Sequence, residues 1–142
     1  MGRMLALDVG EKRIGVALCD ETQTLARPLL TLSRASKKED FARLAALCHE
    51  HAIEKVIVGL PKTLRGEDGP QAQRVQRYAA ELQAALDLPI EFWDERFSTV
   101  GARDLMAAVG RKLSSKGEVD AIAATVILQE YLDGHNPRYK PI

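Results

Sequence analysis

The stretch that most constrains the fold is residues 4–10, Met-Leu-Ala-Leu-Asp-Val-Gly, near the start of the chain. Side chains alternate along a strand, so Leu5 and Leu7 would lie on one face, and Ala6 and Asp8 on the other. A strand that is apolar on both faces is typical of the middle of a sheet covered on both sides. A carboxylate there is unfavourable unless a partner, a metal ion or a functional site compensates its charge. The sequence therefore predicts a buried central strand that carries one functional acid.

The rest of the chain predicts one α/β domain over residues 1–142, since this length favours a single core. Further strands are expected at 14–19, 24–32, 56–59 and 89–93, and helices at 36–51, 70–86, 98–109 and 118–132. No helix fits between the first three strands, so they would form an antiparallel meander, after which strands and helices alternate. The predicted order is βββαβαβαα, a mixed five-stranded sheet with helices on both faces.

Local signals mark several boundaries of these elements. Pro28 cannot donate to a strand ladder, which places the third strand at an edge or gives it a bulge. Ser36 and Glu39 have the spacing of a capping box at the start of the first helix. Pro70 suits the first turn of the second helix, and Gly134 is expected to end the last helix.

Composition limits the compartment but not the substrate. The formal net charge is zero, which neither supports nor excludes nucleic acid, because a local basic patch can suffice. No apolar run approaches the length of a membrane span, and the start of the chain lacks a signal-peptide pattern. Cys19 and Cys48 alone make no disulfide framework. The expectation is a cytoplasmic protein with reduced thiols and no membrane partner.

Two further carboxylates occupy informative places. Parallel first and fifth strands would bring Asp8 and Glu95 to the same carboxyl edge, where such sheets bind ligands, although Asp94 ends the same strand. On a helical wheel, Asp120 lies with Ala124 on the apolar side of the last helix, near its positive end. That acid would serve a cation or a reaction; alternatively, it would cap a backbone group or pair with a buried arginine.

Oxygen ligands of this kind suit Mg²⁺ or Mn²⁺ better than zinc. Two such ions can activate a water and stabilise the leaving oxygen in phosphodiester cleavage, a reaction that depends on carboxylate ligands. The residues predicted to be both catalytic and metal-binding are Asp8, Glu95 and Asp120.

Four segments, taken in order, resemble one family. They are residues 7–10 with 13–17, 58–61 with 66–72, 94–99, and 119–124 with 127–129. Over nearly its whole length the chain resembles the YqgF/RuvX family, described as pre-16S rRNA nucleases or as Holliday-junction-resolvase-like proteins with an RNase H-like fold. The resemblance places the family's acidic metal-binding positions on the same three carboxylates. Residues 62–64 and Phe97 depart from the family's usual residues, and neither departure touches a carboxylate.

The resemblance implies a hydrolase that cleaves phosphodiester bonds in structured nucleic acid. The favoured substrate is the 5′ end of pre-16S rRNA in ribosome biogenesis, with the assembling small ribosomal subunit as an expected partner. The alternatives are resolution of a four-way DNA junction and, from another class, a non-catalytic module that binds rRNA or protein. A resolvase would need two sites and hence a homodimer, whereas an RNA-trimming enzyme could act as a monomer.

Five residues are candidates for substrate binding, each with a structural alternative. Arg13, near Asp8, would contact a phosphate or be a solvated turn residue. Thr63 and Arg65 precede a helix N-terminus, a natural phosphate site, in what could also be a plain connector. Arg96 would hold substrate, orient Glu95 or form a structural ion pair. Lys116 belongs to a basic segment that would contact phosphates or simply be solvated.

Overall fold

The computed structural model describes residues 2–61, 65–95 and 116–135, and these ranges contain five strands and three helices. The elements are β1 Arg3–Val9, β2 Arg13–Cys19, β3 Ala26–Ser33, α1 Lys37–Glu50, β4 Ile53–Leu60, α2 Pro70–Leu86, β5 Ile90–Asp94 and α3 Lys116–His135. All five predicted strands and three of the four predicted helices are present. The helix predicted over 98–109 lies outside the described residues.

The five strands form one mixed sheet in the order β3-β2-β1-β4-β5, with β1 in the middle. β1 pairs antiparallel with β2 and parallel with β4, and β4 pairs parallel with β5. The carboxyl ends of β1, β4 and β5 therefore share one edge of the sheet. This is the predicted mixed sheet, with its first strand at the centre.

The alternation of side chains along β1 divides the core into two layers. Leu5 belongs to a buried cluster with Leu44 of α1 and Leu82 of α2, on one face of the sheet. Ala6 belongs to a separate cluster with Leu128 of α3, on the other face. The predicted placement of helices on both faces is confirmed. Among the described residues, no helix is both long and apolar enough to span a membrane.

The local boundary signals are confirmed at three positions. β3 is an edge strand, and its pairing with β2 skips Leu29, the residue after Pro28. The edge position and the bulge both accommodate a residue that cannot donate to the ladder. Ser36 caps α1, its hydroxyl accepting a hydrogen bond from the Glu39 N–H at 3.1 Å. Pro70 is the first residue of α2.

The end predicted for the last helix is wrong. Gly134 does not terminate α3, which continues to His135. A Cβ atom at this glycine would lie 3.2 Å from Cη2 of Trp93, on β5. The glycine therefore serves close packing between helix and sheet rather than a change in backbone direction.

Candidate functional site

Asp8 lies near the carboxyl end of the central strand, on the face of the sheet covered by α3. Its side chain is half-buried, and no group in the described ranges donates a hydrogen bond to it. Burial, followed by the negative charge of Asp120, raises the pKa of Asp8 to about 6. A carboxylate with these surroundings lacks compensation for its charge.

Glu95 directly follows the last residue of β5, two strands away from Asp8. Gly59 of β4 lies between them, and a Cβ atom there would lie 2.7 Å from Glu95 Oε1. The glutamate therefore occupies space that any side chain at position 59 would fill. Burial, followed by the charges of Asp8 and Asp94, raises the pKa of Glu95 to about 7. Two acids from parallel strands thus converge at one edge of the sheet.

Asp120 approaches the same place from the helix. In the first turns of α3, its carboxylate accepts a charge-assisted hydrogen bond from Arg13 Nε, with 2.7 Å between Nε and Oδ2. Gly15 of β2 pairs directly with Asp8, and a Cβ atom at Gly15 would overlap the carbonyl oxygen of Asp120. The backbone of α3 therefore rests on the strand beside Asp8.

The two flanking glycines were not predicted as site residues. Gly15 lies on one side of Asp8 and Gly59 on the other, and the missing side chains of both would point toward α3 or Glu95. Glycine inside a strand weakens it and often marks a close approach of another group. That was the available sequence signal: β2 and β4, the strands on either side of β1, each carry a glycine in an otherwise apolar run.

The donor chemistry of this edge fits a divalent cation. Three carboxylates offer hard oxygen ligands, and the raised pKa values of Asp8 and Glu95 reflect negative charge that a cation would neutralise. As the side chains are placed, no three acidic, histidine or cysteine residues in the described ranges form a completed ligand set. Asp120 instead forms an ion pair with Arg13.

The five predicted substrate-binding residues differ in where they lie and in whether the structure describes them. Arg13 is paired with Asp120 rather than being a solvated turn residue. Arg65 is exposed in the connection that precedes α2. Thr63 and Arg96 lie outside the described residues. Lys116 is the first residue of α3, but its side chain is also outside what is described.

A family model named RuvX, with the description "Holliday junction resolvase", matches residues 2–134. The chain belongs to this family. A Chloroflexus aurantiacus protein named "Putative pre-16S rRNA nuclease" is 45% identical over 131 residues, 92% of this chain and 86% of the relative. A Thermosynechococcus vestitus protein of the same name is 44% identical over 138 residues, 96% and 91% of the two chains.

Solved structures support the fold. The structure "T. thermophilus RuvC in complex with Holliday junction substrate" has a TM-score of 0.63 at 15% identity, covering 100% of both chains. The fowlpox virus Holliday junction resolvase has a TM-score of 0.55 at 11% identity, covering 93% of this chain and 98% of that one. The predicted family and RNase H-like fold are confirmed, and the names of the relatives support the predicted nuclease class.

Proposed function

We propose that this protein is a metal-dependent nuclease whose site is formed by Asp8, Glu95 and Asp120. The observation that carries the proposal is their convergence at the carboxyl edge of the sheet. The pKa of Asp8 is raised in part by Asp120, and that of Glu95 in part by Asp8. Packing alone does not explain this arrangement, because the charge of Asp120 disfavours ionised Asp8 and the charge of Asp8 disfavours ionised Glu95.

In this proposal the three carboxylates hold Mg²⁺ or Mn²⁺. When bound, such an ion would supply electrostatic stabilisation to the reacting phosphate and lower the pKa of the attacking water. Asp8 lies on β1, Glu95 directly follows β5, and Asp120 comes from a helix resting directly on the sheet at Gly15. Side chains held on such elements keep their positions better than side chains on loops.

Arg13 has two roles in this account. Its hydrogen bond at 2.7 Å orients the Asp120 carboxylate. Its guanidinium also places positive charge at the edge where a scissile phosphate would lie, and arginine suits phosphate recognition. We therefore keep Arg13 as a substrate-binding residue and assign it a positioning role as well.

We propose that the protein acts in ribosome biogenesis and that its substrate is the 5′ end of pre-16S rRNA. The relatives at 43–45% identity carry pre-16S rRNA in their name, which supports this choice over a DNA junction. The family description favours the junction as the second candidate. The assembling small ribosomal subunit as a partner and the cytoplasmic location follow from the first choice and stay predictions, as does the single domain.

A cleavage assay tests the function. The substrates are a 5′-extended 16S rRNA precursor fragment, an unstructured RNA of equal length and a four-way DNA junction, each with Mg²⁺ and with Mn²⁺. The variants are wild type, Asp8→Asn and the matched control Asp87→Asn. Asp87 is an exposed residue with a φ of 53° at the C-cap of α2, a conformation that asparagine tolerates well.

The expected result is trimming of the precursor by wild type and by Asp87→Asn, and none by Asp8→Asn. If the protein makes paired symmetric cuts in the junction and leaves the precursor intact, the junction and not the rRNA is its substrate. Binding of the precursor without cleavage of any substrate would favour the non-catalytic module. Full activity in Asp8→Asn would overturn the proposed site.

A further inference from the structure

A basic cleft lies on the face of the sheet opposite Asp8. It has a volume of about 390 Å³ and opens between the turn after β1, the start of α1 and the first half of α2. We define the basic cleft by its four cationic lining residues, Arg34, Lys37, Arg74 and Arg77. Val9 and Gly10, the two residues after Asp8, also line it. The cleft therefore begins where the central strand ends, around the edge from the carboxylates.

The lining concentrates positive charge in a neutral protein. Four cations face two anions, Glu11 and Glu81, which leaves an excess of two positive charges in the cleft. The chain as a whole has 20 basic and 20 acidic residues. Arg77 is exposed and has no ion-pair or hydrogen-bond partner in the parts of the chain that the structure describes. Arg77 thus carries the unbalanced charge of the cleft, while Arg34, Lys37 and Arg74 each have an acidic partner.

The two anions hold their partners only weakly. Lys37 Nζ lies 2.8 Å from Glu81 Oε2, and Arg74 Nη1 lies 3.6 Å from Glu11 Oε1. All four side chains are about half exposed or more, so water screens both pairs. A phosphate group accepts the same kind of charge-assisted hydrogen bond from these donors and can replace an exposed glutamate as their partner.

Arg34 forms a fixed wall of the cleft. Its Nη1 donates to the carbonyl oxygen of Gly10 at 2.9 Å, and its guanidinium carbon lies 4.7 Å from the centre of the Tyr78 ring. Its Nε lies 3.8 Å from Oδ2 of Asp40, which is buried. This cation needs no reordering when a ligand enters, whereas Lys37, Arg74 and Arg77 are free to adjust.

We propose that the basic cleft binds the phosphate backbone of the nucleic-acid strand next to the bond that is cut. This inference rests on the proposed function and extends it to a second contact with the same substrate. Arginine and lysine contacts to phosphates position a strand without reading its sequence. A strand passing over the edge at Gly10 would join the carboxylates on one face to the cleft on the other.

Binding is measured in the Asp8→Asn background, so that the strand is not cut. The probe is a fluorescently labelled single-stranded RNA with the 5′-extended precursor sequence, titrated at several salt concentrations. The test variant carries Arg74→Gln and Arg77→Gln, both exposed positions on α2. The matched control is Arg27→Gln, an exposed arginine on edge strand β3. Circular dichroism melting checks that each variant folds.

We expect the double variant to bind about tenfold more weakly, with the slope of log K against log salt smaller by about 1.4, since each phosphate contact in a single strand contributes about 0.7. Glu81→Gln removes a competing anion and should tighten binding about twofold by the same reasoning. Arg27→Gln should leave both quantities unchanged.

Equal affinity and equal salt slope in the double variant and its parent would overturn the proposal that the cleft binds RNA. The nuclease proposal would remain intact. The opposite failure is equally visible. If RNA binding depends on the cleft but the wild-type protein cleaves no substrate, the proposed role of the cleft stands and the nuclease proposal is wrong.

Discussion

Asp8 and Asp40 are both removed from water, yet their surroundings are opposite. Asp40 is the more buried, with 1% of its surface exposed. It accepts a hydrogen bond from the Ala35 N–H at 2.9 Å and one from Arg43 at 3.3 Å, and the Tyr78 hydroxyl lies 3.5 Å away. Its charge is therefore neutralised from several directions within the fold.

Asp8 has Asp120 and Glu95 as charged neighbours, and no group in the described parts of the chain donates a hydrogen bond to it. Its pKa is raised by burial and then by the charge of Asp120, and the pKa of Glu95 is raised by burial and then by the charges of Asp8 and Asp94. Depth of burial therefore does not distinguish Asp8, the proposed functional carboxylate, from Asp40, the structural one. The distinction is whether the fold itself supplies the compensating charge or leaves it to an ion from outside.

The largest effect is expected in catalysis. Asp8→Asn should lower cleavage of the rRNA precursor at least about 1,000-fold, since it removes a carboxylate on which transition-state stabilisation of several kcal/mol depends. Asp40→Asn should leave cleavage per folded molecule near the wild-type rate. Steady-state rates on the same substrate measure both. Equal losses of cleavage rate in Asp8→Asn and Asp40→Asn would contradict the different roles assigned to the two acids.

The next effect is on stability, and the order of the variants reverses. Asp40→Asn should lower the free energy of unfolding by about 3 kcal/mol, because it leaves Arg34 and Arg43 around a site without their buried counter-charge. Urea denaturation of the metal-free proteins measures this, with Asp87→Asn as the control. A stability loss as large in Asp8→Asn would contradict the assignment of Asp8 to function rather than structure.

Substituting the glycines tests the approach of the acids to one another. Gly15→Ala should reduce cleavage about 100-fold, because the new Cβ overlaps backbone at Asp120 and a shift of about 1 Å in a site has that effect. Gly59→Ala should reduce it less, since its close neighbours are the side-chain ends of Ile127 and Glu95. Wild-type rates in Gly15→Ala would show that Asp120 need not lie so close.

The smallest effect is a pH dependence of the metal-free protein. The folded-state pKa of Asp8, about 6, is above its ordinary value of 3.8, so the folded state binds this proton more tightly. The associated stability is present below about pH 4 and is lost as pH rises through 6. Asp8→Asn should match wild type at low pH and be the more stable protein at pH 8, by a difference that grows between about pH 4 and pH 6. Denaturation with chelator present, across pH, measures the difference; a constant difference would contradict the prediction.

Much of the fold could be predicted because its signals are local. The alternation of β1, the cap at Ser36 and the proline at position 70 each act within a few residues. Gly134 was misread as a helix end because its reason is a contact with Trp93, distant in sequence. Local signals describe the chain's own propensities, and tertiary packing can override them.

The sequence indicates the three acids as candidates because its patterns place each where a charge is unfavourable, and their role in the site stays a prediction. Their surroundings could not be predicted. The ion pair between Arg13 and Asp120 joins residues 107 positions apart, and the cations of the basic cleft come from separate elements. Such sites are created by the topology of the sheet, which brings together segments that have no pattern in common.

The most direct test of the central claim is calorimetric titration of Mn²⁺ into wild type, Asp8→Asn, Glu95→Gln and Asp40→Asn. The account predicts binding by wild type and by Asp40→Asn, and its loss or a weakening of at least about tenfold in the other two variants. Mn²⁺ binding of wild-type strength in Asp8→Asn and Glu95→Gln would contradict the claim that these carboxylates await a cation.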